Sequence, residues 1–115
     1  MRDGIERAEA DGVVAALVAA QKSLAGGEGY FHLLAGAPAS YPANATSPRD
    51  SFLSLDWEDL RFVERLDTGS ERRKGYRLSV MPDGLGQLYW DVRVTLEVSG
   101  AVERVEMFYG PPAPF

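Results

Sequence analysis

The single histidine of the chain, His32, is the first residue to consider as a catalytic group. An imidazole exchanges a proton near neutral pH and is a common metal ligand. His32 lies in the apolar segment GYFHLL, and the chain contains no nucleophile elbow, phosphate loop or metal-ligand spacing. We therefore expect His32 to pack or to cap an element, and we predict no catalytic residue.

Asp56, Glu58 and Asp59 form an acidic cluster whose oxygens could bind a hard cation. The cluster lacks the glycine and the downstream glutamate of a calcium loop, so we expect a solvated turn. The segment GGEG at 26–29 follows a predicted helix, which indicates a helix end and not a phosphate cradle. The sequence thus predicts no metal site and no cofactor site, and we expect that the chain is not an enzyme.

Basic side chains are concentrated in the run Arg72, Arg73, Lys74 and at Arg77. Acidic neighbours such as Glu71 dilute this charge, and the whole chain carries a formal net charge of −5. A nucleic-acid interface needs a clear basic surplus to neutralise phosphates. We therefore interpret the run as a solvated loop tip, and the charge argues against direct DNA binding.

The length of 115 residues corresponds to one small domain with one core. A helix is predicted over residues 3–25, with Asp3 as N-cap, Glu6 closing a capping box and Gly26 with Gly27 at the end. Its apolar residues repeat at helical spacing and form one seam, which consists of Ala10, Val13, Leu17, Ala20 and Leu24.

The predicted helix is also apolar on a second side, because every residue from 13 to 20 is apolar. Val14 and Val18 lie away from the main seam, and Gly12, Ala15 and Ala19 are small enough to allow close approach of another surface. Alanine alone would be explained by helix propensity. The two valines favour a second partner surface.

Residues 26–56 show little periodicity and are rich in Ala, Pro and Ser, so they are interpreted as one long loop joining helix and sheet. Loops of this length are unusual in compact domains and often have a function.

Residues 57–115 are predicted to form the sheet and a C-terminal tail. The segment QLYWDVRVTLEV alternates between apolar and polar residues, and Ser99-Gly100 fits a tight turn. Closing this turn predicts cross-strand pairs, of which the main ones are Val94 with Val105, Val92 with Met107, Trp90 with Tyr109, Arg93 with Glu106 and Leu96 with Glu103. Glu103 would be the one polar residue on the buried face.

Two further segments precede this hairpin. Residues 75–81 place Tyr76, Leu78 and Val80 on one face of a strand. Residues 60–66 form either a strand with Leu60, Phe62 and Leu66 inward or a helix capped by Asp56. The predicted fold class is therefore α+β, with one long N-terminal helix packed on a three- to four-stranded antiparallel β-meander.

The order of IERAEADGVVAALVAAQKSLAGG, a long loop and GYRLSVMPDGLGQLYWDVRVTLEVSGAVERVEMFYGPP resembles the globular part of the type IV pilin-like superfamily. The superfamily includes minor and competence pilins and type II secretion pseudopilins. The resemblance covers the order of elements along essentially the whole chain but no specific motif. The prepilin cleavage motif and the hydrophobic span of that superfamily are absent from this sequence.

The resemblance implies a non-catalytic structural subunit of a type IV pilus or related envelope filament, without a cofactor. The implied partners are other pilin subunits, contacted through the outer face of the helix, and the inner membrane, reached through a hydrophobic segment before residue 1. The implied location is the bacterial cell envelope and then a periplasmic or extracellular filament. The residues of the implied subunit contact are Gly12, Val14, Ala15, Val18 and Ala19.

Two other function classes stay open. One is a small-ligand-binding or enzymatic α+β domain of the nuclear transport factor 2-like kind, in which a curved sheet holds a pocket. It would require more helix than predicted and polar groups that converge in the pocket. The other is a soluble module that binds a partner through the Ala- and Pro-rich loop.

Overall fold

The computed structural model describes residues 5–35, 47–81 and 89–110. The described elements are two helices, a short 3₁₀ turn at Trp57–Asp59 and five strands. In chain order, they are α1 (Arg7–Ala25), β1 (His32–Ala35), α2 (Pro48–Ser54), β2 (Leu60–Leu66), β3 (Arg73–Val80), β4 (Tyr89–Glu97) and β5 (Val102–Gly110).

The five strands form one mixed sheet in the order β1-β5-β4-β3-β2. Strands β2 to β5 pair antiparallel with their neighbours in sequence, whereas β1 pairs parallel with β5. The α+β character agrees with the prediction, but the three- to four-stranded antiparallel meander under a single helix is wrong. A parallel edge strand and a second helix are added to it.

Both additional elements lie inside the segment 26–56 that was predicted as a loop. Strand β1 has only four residues, HLLA, which is too short for an alternating pattern to be visible. Helix α2 does carry a start signal, because Ser47 is its N-cap and Pro48 follows in the first turn. The Ser47 hydroxyl accepts a hydrogen bond from the Asp50 backbone N–H at 3.1 Å.

Helix α1 begins four residues later than predicted, at Arg7 and not at residue 3. Glu6 is itself the N-cap, with extended backbone and no side-chain capping bond, so the predicted capping box is wrong. Asp3 lies outside the described residues. The helix ends at Ala25, and Gly27 adopts a positive φ of 79° immediately after it.

Residues 60–66 form a strand, which decides between the two predicted alternatives. Asp56 caps the preceding 3₁₀ turn through a hydrogen bond from the Glu58 backbone N–H to its Oδ1. An irregularity between Leu60 and Phe62 shifts the register of β2 against β3. Because of this shift Val63 is fully buried, whereas Phe62, which was predicted to point inward, is half-buried.

The β4–β5 hairpin has most of the predicted pairs. Val94 lies opposite Val105, Val92 opposite Met107, Arg93 opposite Glu106 and Trp90 opposite Tyr109. The predicted pair of Leu96 with Glu103 is wrong, because a register shift after Thr95 places Val102 opposite Leu96. Arg73 Nε instead donates to both carboxylate oxygens of Glu103 at 2.8 Å.

The core lies between the helices and one face of the sheet. The α1 seam contributes Ala10, Val13, Leu17 and Ala20, all buried. They belong to one cluster with buried sheet residues that include Val92, Val94 and Leu96. Helix α1 therefore uses the predicted seam to cover the sheet.

The second apolar side of α1 is partly covered by the chain itself. Gln21, at helical spacing from Val14 and Val18, donates hydrogen bonds to the backbone carbonyls of Phe52 and Leu55 at 2.9 and 3.0 Å. Its Oε1 accepts a bond from Trp57 Nε1 at 2.9 Å. This side of α1 therefore faces α2 and the turn after it, and Val14 and Val18 are half-buried.

Candidate functional site

The alternation of β3 divides the basic run seen in the sequence between the two faces of the sheet. Arg73 binds Glu103, and Arg77 binds Glu64 and Asp91 at 3.3 and 3.1 Å on the face away from α1. Lys74 lies on the other face, in phase with the buried Tyr76. The run is therefore not a single loop tip, and β3 already begins at Arg73.

A cleft of about 460 Å³ opens between the first half of α1 and the sheet, near the turn that joins β4 to β5. We call it the α1–β4 cleft. Its volume lies within the range of about 300–1,000 Å³ that is usual for small-molecule sites. Its lining residues come from α1, from the start of β3 and from the end of β4, and they are Glu9, Gly12, Val13, Glu71, Arg72, Lys74, Tyr76, Leu96, Glu97, Val98 and Gly100.

The bottom of the α1–β4 cleft is apolar. Val13 and Tyr76 are each 2% exposed, and Leu96 is 8% exposed, so all three belong to the core as well as to the cleft wall. Val98 lines the cleft from the turn between β4 and β5 and is 79% exposed. An apolar ligand in the cleft would cover Val98 and gain hydrophobic stabilisation.

Gly12 is an exposed residue that lines the helix side of the cleft. A glycine inside a helix costs about 1 kcal/mol relative to alanine. A Cβ at Gly12 would meet no other atom within 4 Å, and its φ is not positive, so neither packing nor backbone geometry requires a glycine there. The missing side chain therefore leaves open volume at the cleft, where a ligand can lie against the helix.

Glu9 is one of the charged residues that line the cleft. The Tyr76 hydroxyl donates a hydrogen bond to Glu9 Oε2 at 2.6 Å, and Arg65 donates to the same oxygen. Tyr76 and Arg65 lie opposite each other on β3 and β2, so the two strands present both donors to α1.

The surroundings of this cluster shift the pKa of Glu9 and the pKa of Tyr76 in opposite directions. The bonds from Arg65 and then Tyr76 lower the pKa of the Glu9 carboxyl below its usual value. Burial, followed by the bond to Glu9, raises the pKa of the Tyr76 hydroxyl. At neutral pH the cluster is therefore a carboxylate held by a guanidinium and a neutral phenol.

Lys74 provides a cation on the cleft side of the sheet. It lies opposite Leu96 in the β3–β4 ladder, and it belongs to none of the ion pairs among the described residues. Its positive charge acts on Glu9 and contributes to the lowered pKa of that carboxyl. A charged amine thus stands beside the apolar wall without a fixed counter-ion in the described structure.

The other candidate residues from the sequence lie elsewhere. His32 is exposed on the edge strand β1, so the expected packing role is not observed. Asp56, Glu58 and Asp59 form the 3₁₀ turn before β2. Within residues 5–35, 47–81 and 89–110, no group of three His, Asp or Glu side chains is placed to hold a metal ion.

The residues predicted for subunit packing differ in exposure. Gly12, Ala15 and Ala19 are exposed, whereas Val14 and Val18 are half-buried on the side that carries Gln21. Gly12 borders the α1–β4 cleft, and Ala19 borders a smaller depression of about 240 Å³ between α1 and residues 28–31 and 100–102. These five residues lie on the side of α1 away from its buried seam, with Gly12 at one margin and Val14 at the other.

Sequence reasoning missed the hydrogen-bonded cluster of Glu9, Arg65 and Tyr76, of which Glu9 and Tyr76 line the cleft. Glu9 lies 56 positions before Arg65 and 67 positions before Tyr76 in the sequence, so no local motif joins the three residues. One signal was available, because Gly12 interrupts an otherwise strong helical pattern without ending it. The second signal was Lys74, two residues before Tyr76 and therefore on the same face of an alternating strand.

Neither described helix combines the length and apolar character that a membrane span requires. Comparisons with protein-family models, with curated proteins and with solved structures gave no match to this chain. Its function is therefore inferred from the geometry of the α1–β4 cleft.

Proposed function

We propose that the protein is a non-catalytic domain that binds a small, largely apolar molecule in the α1–β4 cleft. The observation that carries this proposal is the cleft itself, which Gly12 borders without a side chain and which the apolar residues Val13, Tyr76 and Leu96 also line. This is the ligand-binding alternative from the sequence. That alternative required polar groups in the pocket. We assign this role to Glu9, which accepts hydrogen bonds from Arg65 and Tyr76, and to Lys74.

The wall of the cleft is well suited to hold a ligand in one position. Val13, Tyr76 and Leu96 are fixed by the core, and Glu9 is fixed by hydrogen bonds from two different strands. A rigid wall reduces the conformational entropy that binding must overcome. The exposed Val98, which also lines the cleft, supplies further apolar area for contact with the ligand.

The proposal is tested with the neutral probe octan-1-ol and three forms of the protein. We expect the wild type to bind the probe and Gly12→Leu to lose binding, since a leucine side chain would occupy the open volume. Ala15→Leu is the matched control, because Ala15 is exposed on the same helix but does not line the cleft. Equal binding by all three forms, or no binding by the wild type, would contradict the proposal.

A second candidate is the subunit of a pilus-like filament, which we propose on a different observation. Ala15 and Ala19 are small and exposed on α1, so a neighbouring helix could approach closely there. The partners would be further copies of a filament subunit, with the membrane reached through a segment before residue 1. Val14 and Val18 are half-buried on the side of α1 that faces α2. This burial reduces the apolar area that is left for a contact between subunits.

The second candidate is tested by Ala15→Arg in the full-length gene product. An exposed site tolerates arginine in the monomer, with a stability change within about 0.5 kcal/mol. If the outer face of α1 mediates assembly, the variant should remain folded and fail to form filaments. Normal assembly would exclude this face as the contact.

A further inference from the structure

Two depressions follow the same helix, the α1–β4 cleft and the smaller one of about 240 Å³ that Ala19 borders. We call the smaller one the α1–β5 depression, because Val102 of β5 lines it. We propose that the two form one groove and that its ligand carries a long, unbranched aliphatic chain. This proposal rests on the proposed binding function and specifies the shape of the molecule that is bound.

The helix wall of both depressions is a single flank of α1. Its lining positions follow one another at steps of three or four residues, which places them on one side of a helix. They include Glu9, Gly12 and Val13 in the cleft, and Ala16, Ala19 and Ser23 in the α1–β5 depression. From Glu9 to Ser23 this flank is roughly 21 Å long, given the rise per residue of an α-helix.

The opposite wall is also continuous along the chain. Leu96 and Val98 line the cleft, Ala101 and Val102 line the α1–β5 depression, and Gly100 lines both. Gly100 has no side chain, and a Cβ built on it would meet no other atom within 4 Å. A bound chain can therefore pass from one depression to the other beside Gly100.

Exposed apolar side chains border both parts of this groove. Three large hydrophobic residues are exposed in the described chain, and two of them line it. Val98, which is 79% exposed, lines the cleft, and Tyr30, which is 93% exposed, lines the α1–β5 depression. An extended apolar molecule would cover part of both side chains, whereas a compact molecule in the cleft would reach only Val98.

The charged residues of the groove do not select a charged ligand. The cleft is lined by acidic and basic side chains together, and a neutral hydroxyl can form hydrogen bonds with either kind. The α1–β5 depression is lined mainly by small or apolar residues, among them Ala16, Ala19, Phe31 and Ala101. We therefore expect a polar end of the ligand in the cleft and the far end of its chain in the depression.

The shape of the ligand is tested by NMR titration with three neutral alcohols. These are octan-1-ol, the longer decan-1-ol and adamantan-1-ol, which has the carbon number of decan-1-ol in a compact cage. We expect the wild type to bind decan-1-ol roughly tenfold more tightly than octan-1-ol, about the gain from two buried methylene groups. Adamantan-1-ol should bind more weakly than decan-1-ol, because it cannot extend into the α1–β5 depression.

Substitutions in the α1–β5 depression test where the chain lies. Ala19→Leu should remove the gain of decan-1-ol over octan-1-ol and leave octan-1-ol binding unchanged, since the leucine would occupy the depression. Ala101→Leu should act in the same way from the opposite wall, and both sites are exposed. Ala15→Leu is the matched control and should keep the gain, because Ala15 is exposed on the same helix but lines neither depression.

The outcomes separate the two proposals. Equal affinity for octan-1-ol and decan-1-ol in the wild type, or adamantan-1-ol binding as tightly as decan-1-ol, would overturn the chain-shaped groove and leave the binding function standing. The gain of decan-1-ol would also lose its explanation if it persisted in Ala19→Leu and Ala101→Leu. Loss of octan-1-ol binding in these two variants would contradict the assignment of the short probe to the cleft. Failure of all three alcohols to bind the wild type would overturn the binding function itself.

Discussion

The hydroxyl of Tyr76 donates a 2.6 Å hydrogen bond to Oε2 of Glu9 and thereby joins the middle of β3 to the first turn of α1. Arg65 binds the same carboxylate oxygen from the neighbouring strand. The three side chains fix the start of the helix over the sheet, and two of them, Glu9 and Tyr76, also line the α1–β4 cleft. Their ionisation can be measured directly.

We expect the pKa of Glu9 to lie below that of a glutamate in an unfolded chain, and to rise in both Arg65→Gln and Tyr76→Phe. The rise should be larger for Arg65→Gln, because the Arg65 hydrogen bond is the largest cause of the shift. The measurement is an NMR titration of the Glu9 side-chain carboxyl. A pKa that is the same in all three forms would contradict the observed hydrogen bonds.

The lowered pKa of Glu9 also sets the sign of a pH effect on stability. A carboxyl with a lower pKa in the folded state stabilises the protein above its unfolded pKa of about 4.3, and this contribution is lost as the pH falls through the folded pKa. Chemical unfolding at a series of acidic pH values should therefore show a smaller acid dependence for Glu9→Gln than for the wild type. An unchanged dependence would show that other carboxyls account for it.

Substitution by alanine should change the free energy of unfolding in opposite directions at two glycines. Gly12→Ala should raise the free energy of unfolding by about 0.5–1 kcal/mol, since its Cβ meets nothing and helix propensity improves. Gly29→Ala should lower it by about 1–3 kcal/mol, because its Cβ would lie 2.8 Å from the backbone nitrogen of Leu24. Urea titration of both variants measures the difference, and destabilisation by Gly12→Ala would refute the open volume at the cleft.

The seam of α1 shows what a single sequence can predict about this fold. Ala10, Val13, Leu17 and Ala20 were identified from their spacing alone, and all four are buried. The alternation of β4 likewise predicted its pairing with β5 as far as Thr95. These features could be predicted because helical and strand periodicities are local properties of the chain.

The features that were not predicted from the sequence also have physical causes. The bulge after Thr95 places Val102 opposite Leu96, and an extra residue of this kind leaves no trace in an alternating pattern. β1 forms because it pairs with the edge of β5, which is a tertiary effect. The four residues of β1 are too few to carry a local pattern that predicts this pairing. The cleft depends on Glu9 and Tyr76 meeting across the fold, so no local motif could reveal it.

Leu17→Ala should lower the free energy of unfolding by about 2–5 kcal/mol, because Leu17 is fully buried between helix and sheet. Leu24→Ala, at a half-buried position on the same seam, should cost less than half as much. Denaturant titration compares the two variants. A loss below about 0.5 kcal/mol for Leu17→Ala would show that a different face of α1 meets the sheet.

Gln21→Leu tests the contact between α1 and α2. The change leaves Trp57 Nε1 and the carbonyls of Phe52 and Leu55 without their partner, which should cost about 1–3 kcal/mol. Lys22→Leu introduces the same side chain at the next, exposed position and should change stability by no more than about 0.5 kcal/mol. Equal effects of the two substitutions would exclude the Gln21 contacts as a stabilising feature.

Amide chemical-shift mapping with octan-1-ol shows whether a small apolar molecule binds at the α1–β4 cleft. We expect saturable shifts at residues that line the cleft, namely Gly12, Val13, Leu96, Val98 and Gly100, and we expect these shifts to be lost in Gly12→Leu but not in Ala15→Leu. Saturable shifts centred on other residues, or no shifts up to the solubility limit of the probe, would contradict it.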